Sequence, residues 1–185
     1  MKKREWKGFL LLCVVSEGLN LWCNCHSPFF WKIAGAMFGG CLLAASVMDL
    51  AEHMVYRYVW FCFGSIVICC VIRNELMLWN ISQDGAGRVL QWKEWLIFVI
   101  LQQLVFANMY GRADCHAFCC CGAVWMLEGK GFDHCVQHLA VSFGLLVITQ
   151  VIRGNINRHG RLKQPVPMLP YITVGFWFCR LVMER

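Results

Sequence analysis

The sequence predicts an all-α fold: a polytopic transmembrane helical bundle of about six to seven helices. Three observations carry that reading. Apolar residues make up 59% of the 185 residues and charged ones only 15%, against about 25% charged in an ordinary soluble domain. Mean hydropathy is +0.54. The 9 Trp and 13 Phe suit lipid-facing and interfacial positions, where aromatic side chains concentrate.

Apolar runs fall at 9–22, 33–48, 58–72, 95–110, 115–127, 136–152 and 170–183. Most are shorter than the roughly 20 residues of a full span, so tilt, thin-membrane packing or snorkelling flanks must make up the difference. The first run is interrupted by Glu17, and residues 1–15, with Lys2, Lys3, Arg4 and Lys7 ahead of a short apolar core, have the look of a signal peptide. No A-x-A-like cleavage site follows, so residues 1–28 are expected to form a retained N-terminal anchor helix and 29–185 the main membrane domain. The longest connection, 73–93, contains the turn signal Asp84-Gly85-Ala86-Gly87 and is expected to be a solvated outer loop or an interfacial piece.

Positive charge sets the orientation. With the N-terminus inside and the runs alternating, the two densest basic clusters fall on the cytoplasmic side: the N-terminal group, and Arg153, Arg158, Arg161 and Lys163. The net charge of +6 is thereby explained by membrane orientation. With no basic-aromatic face, nucleic acid is not an expected partner; the lipid bilayer is. The 13 cysteines do not form a disulfide framework, because most lie inside apolar runs where Cys acts as a small hydrophobe. None are in CxxC spacing, so no zinc ribbon, and no metal or other cofactor, is expected. Cys23-Asn24-Cys25-His26 and the His116/Cys120 pair read as incidental ligand types.

Against this background two carboxylates stand out. Asp49 closes the run 33–48 and Asp114 opens the run 115–127. A carboxylate at the centre of a membrane helix costs about 2.5–3.5 kcal/mol on insertion scales, and the orientation above places both at one cytoplasmic face. Small residues, Gly111 and Ala113, flank Asp114 and let a neighbouring or substrate backbone come close.

The arrangement of Asp49, then Gly111-Arg112-Ala113-Asp114, then Pro165-Val166-Pro167-Met168-Leu169-Pro170-Tyr171 and Gly175 resembles the prepilin peptidase (type IV leader peptidase) family of intramembrane aspartyl proteases. In that family one aspartate ends a helix ahead of a short basic loop, and the second sits in Gly-x-Gly-Asp at the start of a later helix. The resemblance runs over residues 29–185. It departs at Ala113, which replaces the second glycine of the motif, and at Tyr56-Arg57, where members usually carry Pro-Asn; the latter bears on substrate preference. The cytoplasmic CxxC domain associated with N-methylation in many bacterial members has no counterpart, so methylation is not expected.

The resemblance implies a multi-pass bacterial plasma-membrane protein, an aspartic endopeptidase with its active site facing the cytoplasm. Its substrates would be prepilin-like proteins, carrying a basic leader and a hydrophobic helix, of type IV pilus or secretion systems. It also implies that Asp49 and Asp114 are catalytic, with Gly111 and Ala113 supporting the motif. One aspartate, ionised, activates water; the other, protonated, polarises the scissile carbonyl. Close like charges leave the pair holding one proton near neutrality. Helix-dipole reasoning makes Asp114, at a helix start beside Arg112, the expected base, and Asp49, at a helix end, the expected acid.

Other polar residues read more plainly. Glu52 and His53 form a solvated face one turn beyond Asp49; Gln102, Gln103 and Asn108 are interhelical hydrogen-bond donors and acceptors; His134 and His138 mark an interfacial helix start. Asn80-Ile81-Ser82 fits a glycosylation sequon that has no meaning in a bacterial protein. Two other function classes share the features: an ion- or proton-binding transport protein, which expects mid-membrane carboxylates and repeated halves, and an inactive peptidase homologue.

Overall fold

The computed structural model describes residues 29–79, 85–153 and 166–183. These form six α-helices with no strand among them: α1 (Phe29–Glu52), α2 (Arg57–Trp79), α3 (Gly85–Leu104), α4 (Arg112–Leu127), α5 (Phe132–Ile152) and α6 (Leu169–Met183), with a single 3-10 turn at Phe106–Asn108 between α3 and α4. The all-α expectation holds. The expected anchor 1–28, with Glu17 and the Cys23–His26 cluster, lies outside the described residues, as do the sequon at 80–82 and Pro165.

Two helices are long and apolar enough to cross a membrane by length and composition, α1 over Lys32–Glu52 and α5 over Phe132–Ile152; α6 is apolar but shorter. Large apolar side chains also stand on the outer surfaces of the other helices: Phe61 and Ile68 on α2, Leu96, Ile97 and Ile100 on α3, Phe178 and Val182 on α6. Association with a membrane is what these features support together.

The 73–93 stretch departs from one of its two expected forms, the solvated loop. Most of it is helical, because α2 continues to Trp79 and α3 begins at Gly85. Charged residues end an apolar run without ending a helix. Arg73 is held 3.9 Å above the ring of Phe30, where a guanidinium and an aromatic face attract each other. Gly85, Ala86 and Gly87 of the turn signal thus fall in the first turn of α3, while Asp84 lies outside the described residues.

α4 is the central helix. It packs against α2, α3, α5 and α6, and Cys115, Ala117, Phe118, Cys121, Ala123 and Trp125 along it are buried. Its Cys-Cys-Cys-Gly-Ala run (119–123) is thin enough for close neighbours. A Cβ placed on Gly122 would lie 3.4 Å from the Cys135 sulfur and from the Phe98 ring. Between α5 and α6 the approach is tighter. A Cβ on Gly175 would overlap the Ser142 hydroxyl and come within 3.3 Å of the Ser142 Cα. Small residues and short hydroxyl bonds hold apolar helices together where no hydrophobic force does; Ser46 and Thr173 share such a bond, 2.8 Å, between α1 and α6.

Several buried polar side chains pair between helices. His138 is buried against Phe118 and Phe176 and donates from Nε2 to the Ile172 carbonyl at 2.9 Å. It is a core donor between α5 and α6, whereas the sequence placed it at an interfacial helix start. At the end of the molecule where α4 gives way to α5, Arg180 meets Glu128 at 2.5 Å, and Glu94 accepts the Phe132 backbone N–H at 3.2 Å. The opposite end collects the C-termini of α1, α3 and α5 and the N-termini of α2, α4 and α6.

Candidate active site

Asp49 sits one turn from the end of α1, which closes at His53. That residue takes a left-handed backbone, φ 53°, and its N–H returns to the Asp49 carbonyl at 3.0 Å. The Asp49 side chain is part-buried, and its Oδ2 accepts the backbone N–H of Leu169 at 3.1 Å. Leu169 opens α6, and Pro170 next to it has no N–H to offer. A helix start leaves its first N–H groups without partners; here a carboxylate from α1 takes one. The same contact puts Asp49 at the positive end of the α6 dipole. Dipole reasoning from the sequence had only α1's own C-terminus to work with.

Asp114 enters from the other direction, in the first turn of the central helix and ahead of the apolar run 115–127. It is buried, 8% exposed, and among the described residues no donor is recorded at its carboxyl. Arg112 points outward and is exposed, so it does not play the neighbour's part the sequence suggested. Burial is the main reason the carboxyl's pKa rises from 3.8 to about 7, and the charge of Asp49 adds to the rise. The two aspartates thus lie within electrostatic reach of each other at one end of the molecule, although they come from α1 and α4.

Gly111 has a positive φ of 112° with ψ 152° as the residue before α4, a conformation that only glycine adopts at no steric cost. A Cβ there would also reach 3.4 Å from Asp114 Oδ2. Gly111 therefore sets the angle at which Asp114 enters. Gly111→Ala should destabilise the fold by about 1–3 kcal/mol through backbone strain and turn the Asp114 carboxyl; thermal unfolding in detergent measures the first effect. Ala113 is part-buried, a place where a small side chain suffices.

Around the pair, the polar residues separate into inner and outer groups. Glu52 is exposed and accepts the Tyr56 hydroxyl at 2.9 Å; the Tyr56 and Tyr58 rings stack with centroids 5.7 Å apart. These side chains occupy the connection where the sequence departs from Pro-Asn. His116 lies against Trp60 at 5.5 Å and is exposed. Among the described residues no group of three or more His, Cys, Asp or Glu side chains is placed to hold a metal.

Comparison with protein-family models, curated proteins and solved structures gave no match. The reading of the site therefore rests on its own chemistry. Sequence reasoning did not foresee one of its parts, the Leu169 N–H. Pro170 hinted at it, since a proline in the opening turn marks a helix start whose remaining N–H groups need partners.

Proposed function

We propose that the chain is a multi-pass membrane aspartic endopeptidase that clips the leader from prepilin-like substrates at the cytoplasmic face. The observation that carries this reading is the convergence of Asp49 and Asp114, from separate helices, at one end of an apolar helical protein, with unequal surroundings. A carboxylate pair performs acid-base hydrolysis when its members hold one proton between them. Asp49, only part-buried and accepting the Leu169 N–H, suits the ionised form; Asp114, buried with no donor at its carboxyl among the described residues, suits the protonated one. The roles proposed are accordingly the reverse of those expected from each aspartate's own helix. Asp49 is the base that draws a proton from the attacking water. Asp114 is the acid that donates a hydrogen bond to the scissile carbonyl and then a proton to the leaving amine.

Position at the helix ends supports a hydrolase over a transport protein, whose coupling carboxylates belong near mid-membrane. A peptide extended along the membrane surface reaches helix ends, and Gly111 and Ala113 leave room for its backbone. The test is co-expression with a prepilin-like substrate, following leader removal by mass for the wild type, Asp49→Ala and Asp114→Ala. Cleavage is expected in the wild type and in neither variant. Leader removal that persists in both variants sinks the proposal.

A further inference from the structure

The segment that delivers Asp114 is held in a way its sequence does not require. Between α3 and α4 the chain runs through Leu104, Val105 and Met109, all largely exposed, and through the 3-10 turn at Phe106–Asn108. Such a connection has little to fasten it. Tyr110 is the residue that folds back. Its ring stacks on Phe106 at 5.7 Å and meets Phe118 of α4 and Phe143 of α5 edge-on at 5.9 and 5.3 Å. Its hydroxyl donates to Oε1 of Gln102 on α3, and the Cys115 thiol, next to Asp114, donates to the Gln102 carbonyl at 3.1 Å.

Gln102 is an expensive choice for this place. It is fully buried, 0% exposed, and its Nε2 has no partner among the described residues. A half-satisfied buried amide lowers stability compared with an apolar side chain of the same shape. A stability argument alone would put Leu or Met here. Residues that break a local rule in this way concentrate at functional sites.

We infer that Tyr110 and Gln102 are positioning residues for Asp114: their hydrogen bond latches the α3–α4 connection and keeps the carboxyl inside the protein. The latch acts from two directions, on α3 through the amide and on α4 and α5 through the ring, and Gly111 follows it directly with the backbone angle that turns Asp114 inward. With the bond cut, the connection opens toward water and Asp114 gains solvation. This inference deepens the peptidase reading and rests on it only for its catalytic consequence.

The groups that bear on Asp114's proton are few. Asp49 of α1 is the charged group whose field reaches it among the described residues, while Tyr110 of the connection and Cys115 of α4 lie alongside. The experiment follows the Asp114 carboxyl by carbon-13 NMR in aspartate-labelled protein, assigned with Asp114→Asn. It compares the wild type with Tyr110→Phe, which keeps the ring contacts, Gln102→Met, which keeps the volume, and the double variant. Gln103→Leu, on the same turn of α3, serves as the control for general loosening.

The midpoint is expected to fall by about one unit or more in each single variant. It should fall no further in the double variant, because both changes remove the same bond. An unmoved midpoint in a folded Tyr110→Phe protein, or an equal fall in Gln103→Leu, overturns the inference. If Tyr110→Phe does not fold, Gln102→Met decides by the same criterion. Leader cleavage is scored separately on the same proteins. A shifted midpoint in a wild type that cleaves nothing removes the peptidase reading and keeps the latch, and the converse result does the reverse.

Discussion

Asp114→Asn should abolish leader cleavage and at the same time make the protein more stable above pH 7. The two effects have one cause. The carboxyl is held away from water, and its pKa lies at about 7, raised by burial and then by Asp49. In the unfolded chain it titrates near 3.8. Below the lower value both states are protonated and the side chain is neutral in each. As pH rises toward 7 the unfolded state releases its proton while the folded state retains it, so stability falls across this window. Each unit of difference corresponds to about 1.4 kcal/mol, so the full effect is a few kcal/mol at alkaline pH.

Asparagine carries no charge and removes that slope. Melting temperatures of the wild type and Asp114→Asn should converge below about pH 4 and separate steadily up to about pH 7, with the variant higher. Activity moves the opposite way. An amide cannot give a proton to the leaving amine, and loss of an acid-base group of this kind costs at least about 10³-fold. The wild type's cleavage rate should itself decline as pH passes about 7, when Asp114 loses the proton the mechanism needs. A variant that is inactive and no more stable at pH 8 than the wild type would show that Asp114 is solvated after all.

How much of this was legible beforehand follows from the range of the interactions. Composition and apolar runs gave helices, because helix length and hydropathy are local properties. Asp49 and Asp114 share one end of the molecule because the C-terminus of α1 meets the N-terminus of α6 there, within electrostatic reach of the start of α4. The same local reading failed at 73–93, where Arg73, Glu75, Lys93 and Glu94 interrupt the apolar runs but not the helices. Charge was mistaken there for a break, and the Phe30–Arg73 contact that accommodates it joins two helices. It failed again on the roles of the pair. The partner that matters to Asp49 is the N–H of Leu169, brought in by a helix far along the chain, and no window of sequence around Asp49 contains it. Gln102 is the same kind of case: its identity suggested an interhelical bond, but only the fold shows that Tyr110 is the residue it holds.

Asp49 is the residue where catalysis and architecture can be separated most sharply. Its carboxylate closes the start of α6 as well as facing Asp114, so Asp49→Ala and Asp49→Asn should differ. Alanine leaves the Leu169 N–H without its acceptor at a part-buried helix start, and an orphaned donor of this kind costs about 1–3 kcal/mol. Asparagine retains a side-chain oxygen of the same reach and can accept that N–H, so most of the stability should survive. It cannot serve as the base, and cleavage should drop by at least about 10³-fold in both variants. Neutralising Asp49 also removes the charge that adds to Asp114's rise, so the Asp114 midpoint should fall toward, without reaching, its unfolded value, because burial is the larger cause. Thermal unfolding, leader cleavage and the Asp114 carboxyl resonance, measured together on the two variants, resolve these contributions. Equal loss of stability in Asp49→Asn and Asp49→Ala would mean that charge at the α6 start, rather than the hydrogen bond, holds the two helices. A fully active Asp49→Asn would leave Asp49 as the cap of α6 and nothing more.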